Sequence, residues 1–71
     1  MNAQKIGAIL RDLRGTKTLG EVSNAVKISV SALTMYENGK RVPRDEIKIR
    51  LARYYQRKVE DIFFAQQCHE K

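Results

Sequence analysis

The sequence predicts an all-α fold of five short helices, on three observations. Ile6, Ile9, Leu10 and Leu13 recur at the i, i+3, i+4, i+7 spacing of one helix face. Residues 18–39 read as two capped helical segments joined by a turn too short for any other element. After Pro43, Ile47, Leu51, Ala52 and Tyr55 fall on one helical arc, and Val59, Ile62 and Phe63 suggest one more short helix.

The first helix is expected over about residues 2–14, broken by Gly15-Thr16-Lys17. Thr18-Leu19-Gly20-Glu21 has the form of a capping box, threonine and glutamate each able to satisfy a donor on the other's backbone. It opens a second helix of about residues 19–26, with Val22, Ala25 and Val26 as its inner face. Lys27-Ile28-Ser29 leaves room only for a tight turn, with Ile28 as a buried plug. Ser29 caps a third helix of about residues 30–38, and Gly39 stands where a left-handed terminator belongs.

In this third helix Leu33 and Tyr36 share a face, while Ser31, Thr34 and Met35 point elsewhere. So short a helix is marginal alone and must be held by its inner face. Its outer face, rimmed by Lys40, Arg41 and Arg44, is then free to enter a groove. Pro43 suits a position before or at a helix start, and Asp45 and Glu46 suit the positive end of a fourth helix, about residues 44–56. Lys48 falls inside that helix's apolar arc and is expected to snorkel out. Ile49 lies on the far side and Tyr54 near the edge, both suited to a partner surface. The fifth helix, about residues 59–64, closes a single domain of residues 1–64, and a polar tail of residues 65–71 is expected to fray.

A chain of seventy-one residues is near the lower limit for a self-sufficient core. A lone Cys68 excludes an internal disulfide, and no Cys/His cluster has metal spacing, so dimerisation is the natural remedy. With no apolar run near the ~20 residues of a membrane span and no signal-peptide core, a cytoplasmic protein is expected. The net charge is +6, and residues 40–58 account for all of it, with eight bases against Asp45 and Glu46. Elsewhere bases and acids cancel. Clustered positive charge is the footprint of a polyanion partner, a solvated helix face being the plainer alternative. Within the cluster Arg50, Arg53 and Arg57 form a stripe assigned to solvent or a rim role, far from the third helix. The only histidine, His69, sits beside Cys68 in the tail with no carboxylate or nucleophile arranged around it, so neither enzyme, metal nor cofactor is expected.

Ile28-Ser29 followed by Tyr36-Glu37-Asn38-Gly39-Lys40-Arg41-Val42-Pro43, with Val59-Glu60-Asp61-Ile62-Phe63 in register, resembles the lambda-repressor-like, Cro-type helix-turn-helix family, often called the XRE family, over residues 6–64. The resemblance implies that the third helix enters the DNA major groove and the second crosses the backbone above it. It assigns Val30, Ser31, Thr34 and Met35 to base edges. Phosphate contact falls to Thr18 and Leu19 at the start of the second helix, to the backbone amides near Asn38, and to Lys40 and Arg41. Arg44 matches a position that reaches phosphate or the minor groove, and Arg14 and Glu37 match a pair tying the first helix to the end of the third.

The chain departs from that family in four ways. Leu19 replaces a polar residue, commonly glutamine. Lys27 replaces a small residue, commonly glycine, so either the turn's positive φ or its local stability is expected to suffer. Gln56 and Lys58 stand where glycine and a hydroxyl cap are usual. The base-facing set holds no Arg, Lys, Asn or Gln for a bidentate base contact, leaving Ser31 and Thr34, apolar contact of Val30 or Met35 with thymine methyls, and DNA shape.

The expectation is thus a sequence-specific double-stranded DNA-binding transcriptional regulator, a repressor or Cro-like switch protein of a bacterium, phage or mobile element. It would act as a homodimer on a pseudo-palindromic operator with half-sites about 34 Å apart, without a small-molecule ligand or membrane partner. Ile49, Tyr54 and Phe64, left over from the inward faces, are its candidate dimer contacts. The alternative is a protein-binding module on the same scaffold, an anti-repressor or antitoxin-like partner, for which the apolar set Leu19, Val30 and Met35 speaks.

Overall fold

The computed structural model describes residues 2–64; the expected fraying of the tail, with Cys68 and His69, lies outside the described residues. Within them the chain is all-α: α1 (Ala3–Arg14), α2 (Leu19–Val26), α3 (Val30–Glu37), α4 (Asp45–Tyr55) and α5 (Val59–Phe63). Side-chain caps set three of the starts. Asn2 Oδ1 accepts from the Lys5 amide at 3.1 Å, Thr18 Oγ1 from Glu21 at 3.0 Å and Ser29 Oγ from Ala32 at 3.0 Å. Only half of the expected capping box forms, because the exposed Glu21 carboxylate makes no return bond to Thr18. Arg44 and Lys58 cap α4 and α5 without a side-chain bond, and Asp45, Glu46, Glu60 and Asp61 supply negative charge to those first turns instead.

The core is built from Ile6 and Leu10 of α1, Val22 and Val26 of α2, Leu33 and Tyr36 of α3, Leu51 and Ala52 of α4, and Ile62 and Phe63 of α5. α1 packs against α3 and α5, α2 against α3 and α4, and α4 against α5. Every short helix thereby gains the tertiary support it lacks alone.

Two expectations about inward faces are corrected. Ala25 is exposed; the position beside Val22 and Val26 that turns inward is Ser23, whose hydroxyl donates to the Gly20 carbonyl at 3.1 Å and so enters the core satisfied. Lys48 does not snorkel to solvent. It is buried, with its ammonium 5.8 Å from the Phe63 ring centroid, 5.1 Å from that of Phe64 and 3.5 Å from Asp45 Oδ1. Two aromatic faces and a carboxylate replace part of the water the ammonium gives up. Ile28, expected as a buried plug, is half-buried against the core.

The turn between α2 and α3 keeps its positive φ although it carries a lysine: Lys27 lies at φ 68°, ψ 46°. Gln56, ending α4, adopts the same left-handed geometry at φ 58°, ψ 47°. At both positions a residue with a Cβ sits in the left-handed region that favours glycine, at a cost in strain.

Candidate nucleic-acid interface

α3 is held at its C-terminal end by side chains of α1. Arg14 Nε donates to Glu37 Oε2 at 2.8 Å, and Arg14 also reaches the Lys17 carbonyl at 2.8 Å. Arg11 Nη2 donates to Asn38 Oδ1 at 3.0 Å and to the Glu37 carbonyl at 3.4 Å. The Glu37 side chain is only 3% exposed, so the guanidinium is its substitute for water. The bond to Glu37, opposed in part by desolvation, holds the Arg14 guanidinium above its usual pKa.

Beneath this clamp Gly7 lets the two helices approach closely. A Cβ there would meet the Glu37 carbonyl oxygen and lie 2.8 Å from that of Tyr36. Neither Arg11 nor Gly7 was assigned a role from the sequence. The signal for Gly7 was present, because an interior helical glycine costs about 1 kcal/mol relative to alanine and needs a packing reason. Arg11 lies one turn before Arg14 on the same face of α1.

The opposite face of α3 is open. Val30 and Ser31 are exposed, and Thr34 and Met35 are half-buried. Spaced at i, i+1, i+4 and i+5, the four share one side of the helix. Thr34 Oγ1 donates to the Val30 carbonyl at 2.8 Å, which spends the hydroxyl proton inside the helix. The only charged side chain in α3 is Glu37, and it is turned inward.

Around this neutral face stand the residues expected near phosphates. Thr18 is exposed, and because its oxygen accepts the cap bond its hydroxyl proton is left to donate. Leu19 is half-buried against the core. The amides near Asn38 need correcting. Those of Asn38, Gly39 and Lys40 already donate to the carbonyls of Thr34, Tyr36 and Met35 at 2.9, 3.3 and 3.0 Å, closing the end of α3. Lys40, Arg41 and Arg44 are exposed, and none has an acidic partner among the described residues. Arg41 and Arg44 border a recess of about 240 Å³ with Tyr36, Val42, Glu46 and Ile47.

The candidate dimer contacts separate into two places. Ile49, 48% exposed, and Phe64 line one recess of about 370 Å³ with Asp45, Lys48 and Val59. Tyr54 lines another, of about 320 Å³, with Ala25, Val26, Lys27, Arg50 and Arg53, and stacks edge-on against Tyr55. Arg50, assigned from sequence to solvent or a rim role, is partly engaged, bonding Glu46 at 3.0 Å and the Lys27 carbonyl at 3.4 Å.

The model of the family described as the helix-turn-helix domain matches residues 5–62. This chain belongs to that family. The helix-turn-helix domain also superposes on the crystal structure of the clp gene regulator ClgR from C. glutamicum, with a TM-score of 0.77, 24% identity, and coverage of 100% of this chain and 97% of that one. Comparison with the curated proteins finds no match. In helix-turn-helix domains the second helix of the motif is the one presented to the groove, and here that helix is α3 with its open face. Among the described residues of this domain no His, Cys, Asp and Glu cluster could hold a metal, and no helix is long and apolar enough to cross a membrane.

Proposed function

We propose that this helix-turn-helix domain is a sequence-specific regulator of transcription that binds double-stranded DNA, of the Cro-like repressor kind within the XRE group. The observation carrying this reading is the juxtaposition of an open α3 face with Lys40, Arg41 and Arg44, all exposed and unpaired at that helix's C-terminal end. α3 enters the major groove with Val30, Ser31, Thr34 and Met35 toward base edges. Thr18, Lys40, Arg41 and Arg44 grip the phosphates on either side and fix register. Repression follows sterically, by occupation of an operator. Two copies on a pseudo-palindrome, joined through Ile49 and Phe64, present two third helices to successive turns of one face of the duplex.

Duplex binding measured against salt tests this. Each phosphate contact contributes about −0.9 to the slope of log K against log salt. Lys40→Ala with Arg41→Ala should therefore flatten the slope by about two and weaken all duplexes alike. Loss of preference for one operator with unchanged non-specific affinity would refute their assignment to phosphates.

The apolar set Leu19, Val30 and Met35 supports one rival, a module that docks a protein through the same face. A complex made that way would keep its affinity as salt rises, whereas a DNA complex loses it steeply.

A further inference from the structure

Resting on the DNA-binding reading, we infer that the α3 face selects its operator chiefly through the C5-methyl groups of pyrimidines in the major groove. Bidentate reading of guanine needs Arg or Lys and that of adenine needs Asn or Gln, and α3 exposes none of these. Its single charged residue, Glu37, is buried against Arg14 and unavailable as an acceptor for cytosine. Thr34 has committed its proton to the Val30 carbonyl, so Ser31 is the one hydroxyl on the face whose proton is uncommitted.

Apart from Ser31, what remains on the face is apolar: Val30, 46% exposed at the first turn, and the half-buried Met35 about one and a half turns further on. Valine is stiff at χ1 and presents its methyls in fixed directions, while methionine adapts to a gap. The only apolar feature on a base edge in the major groove is the methyl of thymine. Enclosing one methyl is worth about fourfold in affinity, and several along two half-sites multiply. A face that recognises this methyl by burial also accepts 5-methylcytosine, which carries the same group at the same ring position. The ligand class is therefore a duplex with C5-methylated pyrimidines at fixed spacing, and cytosine methylation can create or strengthen a site.

The test uses the full chain and an operator obtained by selection from random duplexes. Each thymine is replaced in turn by deoxyuridine, which keeps pairing and charge and removes only the methyl. The expected result is a loss of about fourfold at each contacted thymine, restored at cytosine-substituted positions by 5-methylcytosine but not by cytosine. Because removing methyls also alters duplex shape, the series is repeated with Val30→Ala, an exposed substitution toward a better helix former, with folding checked by thermal melting. The penalty at one or more thymines should vanish in that variant. Undiminished affinity for the uracil duplexes, or a penalty that Val30→Ala leaves unchanged at every position, would overturn the inference while leaving DNA binding intact. Absence of any salt-dependent duplex binding would instead remove the functional reading beneath it.

Discussion

Tyr55 places a hydroxyl in the interior with no hydrogen-bond partner among the described residues. Burial, reinforced by Glu37, pushes its pKa up to about 12 from an ordinary value of 10.0. A folded pKa raised above the unfolded one means that the unfolded chain releases its proton first. The contribution of Tyr55 to stability is therefore constant below pH 10.0 and is lost as pH rises from there through about 12, by at most about 1.4 kcal/mol per unit. Tyr55→Phe removes the orphaned hydroxyl and should be neutral to stabilising near pH 7. Urea unfolding at pH 8 and pH 11 checks both effects. The variant should lose less stability between them than the parent, and equal losses would separate Tyr55 from the alkaline transition. Glu37 presents the opposite case, a buried carboxylate with a partner. Arg14→Ala leaves that charge unpaired and should cost about 3 kcal/mol, the low end for a broken buried pair because Arg14 itself is 20% exposed, read from the same denaturation curves. Double substitution with Glu37→Gln should recover part of that loss.

At the scale of elements, the helices were legible because each carries its own periodicity and punctuation. α3 is typical: Ser29 starts it, Leu33 and Tyr36 give its inner face, and Gly39 at φ 76° ends it. What could not be read is whatever depends on a neighbour. The burial of Lys48 needs the two phenylalanine rings of the α5 segment, and the inward turn of Ser23 depends on how α2 sits against α3 and α4. The candidate interface divides by the same rule. The α3 face and its basic rim follow from local sequence, whereas the engagement of the Asn38, Gly39 and Lys40 amides depends on terminator geometry. Lys27 and Gln56 stand between these cases, because the sequence shows the missing glycine but not whether the backbone yields. It does not yield, so each side chain bears left-handed strain of about 1–2 kcal/mol. Glycine would relieve it, offset by about 0.5–1 kcal/mol of added freedom in the unfolded chain. Lys27→Gly and Gln56→Gly should each stabilise by about 0.5–1 kcal/mol, whereas Gly7→Ala should destabilise, since its Cβ has no space beside α3. Melting temperatures of the three variants decide these signs together.

For the whole molecule the open question is self-association, and the separation of the candidate contacts sharpens it. A core of this size seldom yields more than ~3–5 kcal/mol, so burying leftover apolar surface against a second copy has a large relative effect. Ile49 and Phe64 share one recess and can form a two-fold contact beside α5, while Tyr54 sits across α4 in a recess bordered by Arg50 and Arg53. Arg53 lies one turn from Ile49, so like charges approach when two copies meet at that recess. Salt screens that repulsion and should tighten the free dimer, the reverse of its effect on DNA binding. Ile49→Ser, at an exposed position, should leave stability within about 0.5 kcal/mol and weaken association, and Phe64→Ser should do the same to association at some cost in stability. Tyr54→Ser should leave association unchanged. Sedimentation of the free protein and binding to an operator with one or two half-sites provide the measurements. A chain that remains monomeric, fills half-sites without cooperativity and ignores both Ile49→Ser and Phe64→Ser does not use this recess. Sensitivity to Tyr54→Ser alone would move the contact to the arginine-lined side of α4.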